Sequence, residues 1–128
     1  VTWVDDSKAT NPHAALAAVR SFPRVVLLAG GRNKGLDLTA LRAGAEHLVA
    51  VVAIGDAAPE VAAAFADLVP VERATSMDDA VARAAVLAGP GDVVLLSPAC
   101  ASFDWYGSYA ERGDDFARAV VAHVGVAS

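Results

Sequence analysis

A chain of 128 residues, 55% of them hydrophobic and 20% charged, holds one domain with a single core, and that balance excludes intrinsic disorder. The net charge of −5 argues against a nucleic-acid binder, and the longest apolar run, 48–55, falls short of the ~20 residues a membrane helix needs. One cysteine, Cys100, excludes a disulfide framework and a cysteine-based zinc site. The first twenty residues carry Asp5, Asp6, Lys8 and Arg20 and do not read as a secretion signal. The chain opens in a strand-like segment without Met, as expected of a piece of a longer protein.

Residues 1–4 read as a short strand. Asn11-Pro12 supplies a capping side chain and then proline at the first helical position, which predicts a helix over 12–22. The unbroken apolar run 24–29, ended by Gly30-Gly31, reads as a strand buried on both faces. Apolar residues at helical spacing predict a helix over 38–46. A second buried strand, 48–54, ends at Gly55-Asp56, and a helix over 57–68 takes Pro59 in its first turn. A short strand follows at 69–72. Ser76 or Asp78 caps a helix over 77–88, which Gly89-Pro90-Gly91 stops. A third buried strand, 92–97, ends at Pro98, and a last helix covers much of 109–124. Five strands alternating with five helices predict an α/β fold. It is Rossmann-like and doubly wound, a mainly parallel sheet of five or six strands with helices on both faces.

In such sheets ligands bind outside the carboxyl ends of the strands. The first of those loops, Asp5-Asp6-Ser7-Lys8-Ala9-Thr10-Asn11, joins acids, a lysine, hydroxyls and a helix N-terminus, a combination suited to phosphate; a capped loop with a solvated lysine explains it equally. The second, Gly30-Gly31-Arg32-Asn33-Lys34-Gly35, matches neither the Walker pattern nor the dinucleotide fingerprint, and by itself reads as a glycine-rich turn. Its lysine gains interest because the chain has only two, Lys8 and Lys34, and both fall on this edge. The last, Ser97-Pro98-Ala99-Cys100-Ala101-Ser102-Phe103-Asp104, holds the cysteine; His13, His47 and His123 lie off this edge, so Cys100 reads as a small buried thiol. Trp3, Trp105 and Tyr106 fit core or rim.

A signalling receiver domain is the alternative of similar length and alternation, with Asp5-Asp6 after strand one and Asp56 as phosphoacceptor. Against it, Ser97 stands before the proline where a receiver carries lysine.

Three elements together carry a resemblance: Asp6-Ser7-Lys8-Ala9-Thr10-Asn11; Gly30-Gly31-x-x-Lys34; and Leu96-Ser-Pro-Ala-Cys-Ala-Ser-Phe-Asp104 with Tyr109-x-x-Arg112-Gly113-x-x-Phe116. In this order, over the whole chain, they resemble the C-terminal, mobile, amino-acid-binding domain of the Mur ligase family, in its D-glutamate-adding branch. The resemblance implies a cytoplasmic, monomeric enzyme of peptidoglycan synthesis, with an N-terminal UDP-binding domain and a central ATP-binding domain outside this chain. ATP and Mg²⁺ are then held mainly by the central domain. ATP phosphorylates the carboxylate of UDP-N-acetylmuramoyl-L-alanine, and the amine of D-glutamate attacks the acyl phosphate. The implied roles are Lys34 and Thr10 on the α-carboxylate of D-glutamate, and Ser102 with the backbone near Phe103 and Tyr109 on its side-chain carboxylate. Lys8 is the catalytic residue that neutralises the transferring phosphate, and Asp6 faces the ATP ribose or phosphate region. Arg112 and Gly113 are expected to shape the last helix and its loop. Neither a nucleic-acid partner nor membrane insertion is implied, and the chain alone is expected to be inactive.

Overall fold

The structure, a computed structural model, describes residues 1–32, 35, 37–102 and 105–124. In chain order these form β1 (Thr2–Asp5), α1 (Pro12–Val19), β2 (Val25–Gly30), a 3₁₀ helix (Leu38–His47), β3 (Leu48–Ile54), α2 (Ala58–Phe65), β4 (Val71–Arg73), α3 (Met77–Leu87), β5 (Val93–Ala99) and α4 (Tyr109–Val124). The strands make one five-stranded sheet in the order β1-β5-β2-β3-β4, and every paired strand runs parallel to its neighbour. The expected α/β sheet is therefore present.

β2 and β5 are buried along their whole length because helices cover both faces. Successive side chains alternate between two cores. Val25, Leu27, Ala29, Val93 and Leu95 pack with Ala15 of α1, Leu41 of the 3₁₀ helix and Phe65 of α2. Val26, Leu28, Val94 and Leu96 pack with Met77 and Val81 of α3 and Phe116 of α4. A run without apolar–polar alternation is what such a strand requires.

Three of the α-helices, α1, α3 and α4, begin where side chains take their free N–H groups, whereas α2 has no side-chain cap. Asn11 Oδ1 accepts from Ala14 N at 2.9 Å, with Pro12 opening α1. Of the two candidate caps for α3, Ser76 is the one used, its Oγ accepting from Asp79 N at 3.1 Å. Before α4, Ser108 Oγ accepts from Glu111 N at 3.2 Å while the Glu111 carboxylate accepts from Gly107 N at 2.9 Å, a variant of the capping box.

The segment read as a helix over 38–46 is helical but wound as a 3₁₀ helix. Its buried residues, Leu38, Leu41 and Gly44, recur every third position, the period of that helix. Gly44 admits the close approach of α1, since a Cβ there would lie 2.9 Å from Leu16 Cδ1.

Strand order overturns the receiver alternative. That fold places β1 inside the sheet, in the order 2-1-3-4-5. Here β1 is an edge strand, and β5 and β2 separate it from β3. At strand spacing the ends of β1 and β3 stand about 14 Å apart, so Asp5 and Asp6 do not share a pocket with the exposed Asp56.

The order also places the site. β1, β5 and β2 are neighbours, so the loops following them meet at one edge. β1 and β2 lead to α1 and the 3₁₀ helix on one face, whereas β5 leads to α4 on the other. A crevice opens beside a strand whose connection leaves in the opposite sense, which is where α/β sheets bind ligands.

Candidate functional site

The loop after β1 is tied down on both sides of Lys8. Asp6 N donates to Leu96 O at 2.7 Å, and Asp6 Oδ2 accepts from Ser97 Oγ at 3.0 Å. Beyond Lys8, Ala9 O accepts from Ala99 N at 2.8 Å. Ala99 makes that bond from a left-handed conformation, φ 66°, and among the described residues it is the one non-glycine with positive φ. Such a conformation costs about 1–2 kcal/mol and survives only where its surroundings enforce it. Lys8 itself is exposed and has no ion-pair partner among the described residues, although Asp5 and Asp6 precede it closely.

The loops after β2 and β5 are joined to each other. Arg32 and Ala101 form an antiparallel bridge, with Arg32 N donating to Ala101 O at 2.8 Å and Ala101 N donating to Arg32 O at 3.2 Å. The glycines before it serve close approach. A Cβ on Gly30 would lie 2.0 Å from Ile54 O, and both Gly30 and Gly31 have positive φ. Of the segment read as a glycine-rich turn, the described Gly30 and Gly31 lead the backbone into the bridge that holds the two loops together. Cys100 packs behind it as the expected buried thiol, with its Cβ 3.3 Å from where a Gly31 Cβ would be.

α4 closes the site from the other face. Arg112 is 1% exposed, the largest of the fully buried side chains. Its Nη2 donates to Ser7 O at 3.1 Å and its Nε to Ser7 Oγ at 3.3 Å; Ser7 Oγ donates in turn to Tyr109 O at 2.6 Å. Its Nη1 lies 3.1 Å from where a Gly31 Cβ would stand. A Cβ on Gly113 would lie 2.5 Å from Asp5 Oδ2, so glycine lets α4 approach the end of β1 closely. Between them lies a cleft of about 420 Å³, lined by Asp5, Asp6, Ser7, Lys8, Tyr109 and Gly113 among others.

Ser102 is buried, and its backbone carbonyl accepts from Trp105 N at 3.2 Å and Tyr106 N at 2.9 Å. Buried hydroxyls are normally bonded, as those of Ser7 and Ser97 are. Further out, the Tyr106 hydroxyl donates to Asp115, and both Asp115 and Asp78 accept from Arg118. Burial, then the Asp115 carboxylate, raises the Tyr106 pKa. Burial opposes ionisation of Asp115, but hydrogen bonds from Tyr106 and Arg118 keep its pKa below the ordinary carboxylate value. This network fixes the β5–α4 loop against α3 and α4. No group of three or more His, Cys, Asp or Glu that could hold a metal ion occurs among the described residues.

Residues 1–100 match the family described as Mur ligase, glutamate ligase domain. The chain belongs to that family. It is 56% identical, over 98% of its length, to UDP-N-acetylmuramoylalanine--D-glutamate ligase of Frankia casuarinae. It is 49% identical to the ligase of the same name from Desulfotalea psychrophila and 51% identical to that from Salinibacter ruber, over 94% of the chain in each case. In all three the chain spans 27% of the relative's length. Among solved structures, a domain ascribed to a UDP-N-acetylmuramate:L-alanyl-gamma-D-glutamyl-meso-diaminopimelate ligase from Haemophilus ducreyi superposes with TM-score 0.59. At 20% identity, over 92% of this chain and 89% of that one, it shows the shared fold alone.

In this Mur ligase domain Asp6, Lys8, Thr10 and Ser102 lie on the loops that gather at the carboxyl edge of the sheet, and Tyr109 opens α4 beside them. Lys34 and Phe103 lie outside the described residues. Thr10 is half-buried just before Asn11, and the Tyr109 side chain is half-exposed while its carbonyl is held by Ser7. The sequence reading gave Ser7 no role and expected Arg112 and Gly113 to shape the last helix and its loop. Arg112 also joins α4 to Ser7 in the loop after β1, and Gly113 lets α4 approach Asp5 at the end of β1. A signal was present: Arg112 stands on the same helical stripe as the buried Phe116 and Ala119, where a charge is out of place unless a partner awaits it.

Proposed function

We propose that this chain is the amino-acid-binding domain of a longer, monomeric, cytoplasmic, ATP-dependent ligase. That enzyme joins D-glutamate to UDP-N-acetylmuramoyl-L-alanine in peptidoglycan synthesis. The observation that supports this most is an exposed Lys8, without an ion-pair partner among the described residues, on the same sheet edge as the buried Ser102, in a chain 56% identical to a relative of that name.

D-Glutamate carries two carboxylates, which call for cations and for N–H or O–H donors. In this reading Lys34 and Thr10 hold the α-carboxylate. Ser102 and the backbone of Phe103 and Tyr109 hold the side-chain carboxylate. Of these, Thr10 stands on the loop after β1, Ser102 follows the bridge at Ala101, and Tyr109 opens α4. Lys8, free to point outward, neutralises phosphate as it moves from ATP to the alanyl carboxylate, and Asp6 faces the nucleotide. The amine of D-glutamate then attacks the acyl carbon, phosphate leaves, and the amide forms. Mg²⁺ is assigned to the rest of the enzyme, and no step runs through it on this chain.

The test is ADP release by the full-length protein given UDP-N-acetylmuramoyl-L-alanine, ATP and Mg²⁺, with D-glutamate, L-glutamate or no amino acid. Turnover with D-glutamate alone, and a product heavier by one glutamyl residue, is the expected result. Equal turnover with L-glutamate, or none with either, would reject the reading. The 128-residue chain lacks a Walker pattern and is expected to release no ADP by itself.

A further inference from the structure

Arg112 is a cation in a place that normally excludes one. Burying a guanidinium is unfavourable unless its donors are met, and a helix face against a sheet is more cheaply filled by an aliphatic side chain. Two of the Arg112 donors, Nε and Nη2, go to Ser7, one to the hydroxyl and one to the main-chain carbonyl. Ser7 immediately precedes Lys8, and its hydroxyl passes the connection on to Tyr109 O at 2.6 Å. The hydroxyl thus accepts from a charged donor while donating to a carbonyl, an arrangement in which each bond strengthens the other.

We infer that Arg112 is a positioning residue. Through Ser7 it sets the separation between the Lys8 loop and the first turn of α4, and so between the phosphate-handling and amino-acid-handling halves of the site. This rests on the ligase reading above. Three features carry it. Ser7 N donates to Asp5 Oδ1 at 2.9 Å, so the residue is held from its own strand as well as from α4. Gly113, next to Arg112, brings the helix against Asp5. Nη1 of Arg112 underlies Gly31, just past the end of β2, so one side chain reaches the ends of β1 and β2 from α4. Reacting groups misplaced by about 1 Å can lose two orders of magnitude in rate, so a clamp of this kind acts on chemistry without touching substrate.

The test is steady-state kinetics of full-length R112A, R112K and S7A, with melting curves recorded alongside. In R112A the D-glutamate KM is expected to rise by about tenfold or more and kcat to fall, with the ATP KM changed less than about twofold. R112K restores only part of this, because an ammonium cannot make the paired contacts of a guanidinium. Added guanidinium ion is expected to recover kcat in R112A and not in S7A. A residue that merely supported the fold would lower the melting temperature and the active fraction while leaving the D-glutamate KM alone. Should R112A fail to fold, S7A keeps the question open to refutation, since it removes only the hydroxyl relay and is expected to raise the same KM. Wild-type enzyme without D-glutamate-dependent turnover would remove the ligase reading itself. Active wild type whose folded variants keep the D-glutamate KM would overturn the clamp alone.

Discussion

The carbonyl oxygen of Ala101 lies 2.3 Å from the position a Cβ on Gly31 would take. The φ of Gly31, 129°, is also one that side-chain-bearing residues seldom adopt. Gly31→Ala therefore has to displace the backbone that pairs Arg32 with Ala101. A loss of about 1–3 kcal/mol in urea unfolding is expected. An unchanged midpoint would show that the two loops separate without cost.

Ala99→Gly is expected to behave unlike an ordinary buried alanine-to-glycine change. Relief of the left-handed strain, about 1–2 kcal/mol, is offset by the added freedom of the unfolded chain and by one lost methyl burial of about 0.8 kcal/mol. The net change should stay within about 1 kcal/mol of zero. Ala84→Gly, buried inside α3 without strain to relieve, should cost about 1.5–2 kcal/mol. Equal losses at the two sites would mean that Ala99 is not strained.

Asp92 sets part of the acid limit. Its carboxylate is almost wholly buried, accepts from Gly89 N at 2.9 Å and pairs with Arg24 Nε at 2.8 Å. The Gly89 bond, then Arg24, lowers its pKa below the ordinary 3.8. A lowered native pKa contributes stability that is complete above the unfolded value and is lost as the pH falls through the native one. Melting temperature should thus be insensitive to this group near neutrality and drop below about pH 4. In Asp92→Asn the drop should be shallower, from a lower plateau. An identical acid limb in the variant would clear Asp92 of this role.

In the full-length enzyme, Lys34→Ala and Lys8→Ala should fail differently. Loss of a charge-assisted bond to a bound carboxylate raises the D-glutamate KM roughly 10- to 150-fold. Loss of a cation facing phosphate charge that redistributes in the transition state mainly lowers kcat. Varying each substrate in turn separates the two, and a Lys8→Ala effect confined to the D-glutamate KM would reverse the assignments.

The three long strands were legible because burial on both faces leaves unbroken apolar runs, and the helix starts because Asn11, Pro12 and Ser76 are capping residues. Strand order was not: nothing in the runs 24–29 and 92–97 states that β5 inserts between β1 and β2, and the convergence of the site depends on it. Of the site, the polar residues on strand-end loops could be found by position alone. The clamp could not, because the partner of Arg112 is 105 residues away. The 3₁₀ winding was visible in hindsight, since Leu38, Leu41 and Gly44 keep a spacing of three where an α-helix would need threes and fours mixed.

That winding has a consequence for reach. After β2 the chain must travel back along the sheet, about 20 Å for a six-residue strand, before β3 can begin. Ten residues of 3₁₀ helix at ~2.0 Å each cover that length, whereas ten of α-helix at ~1.5 Å stop about 5 Å short. The segment Leu38–His47 accepts poorer hydrogen-bond geometry and in return spans the length of the strand with ten residues. Asp37 at one end and Leu48 of β3 at the other are joined by that helix, and inserting three residues would let the same span form as an α-helix.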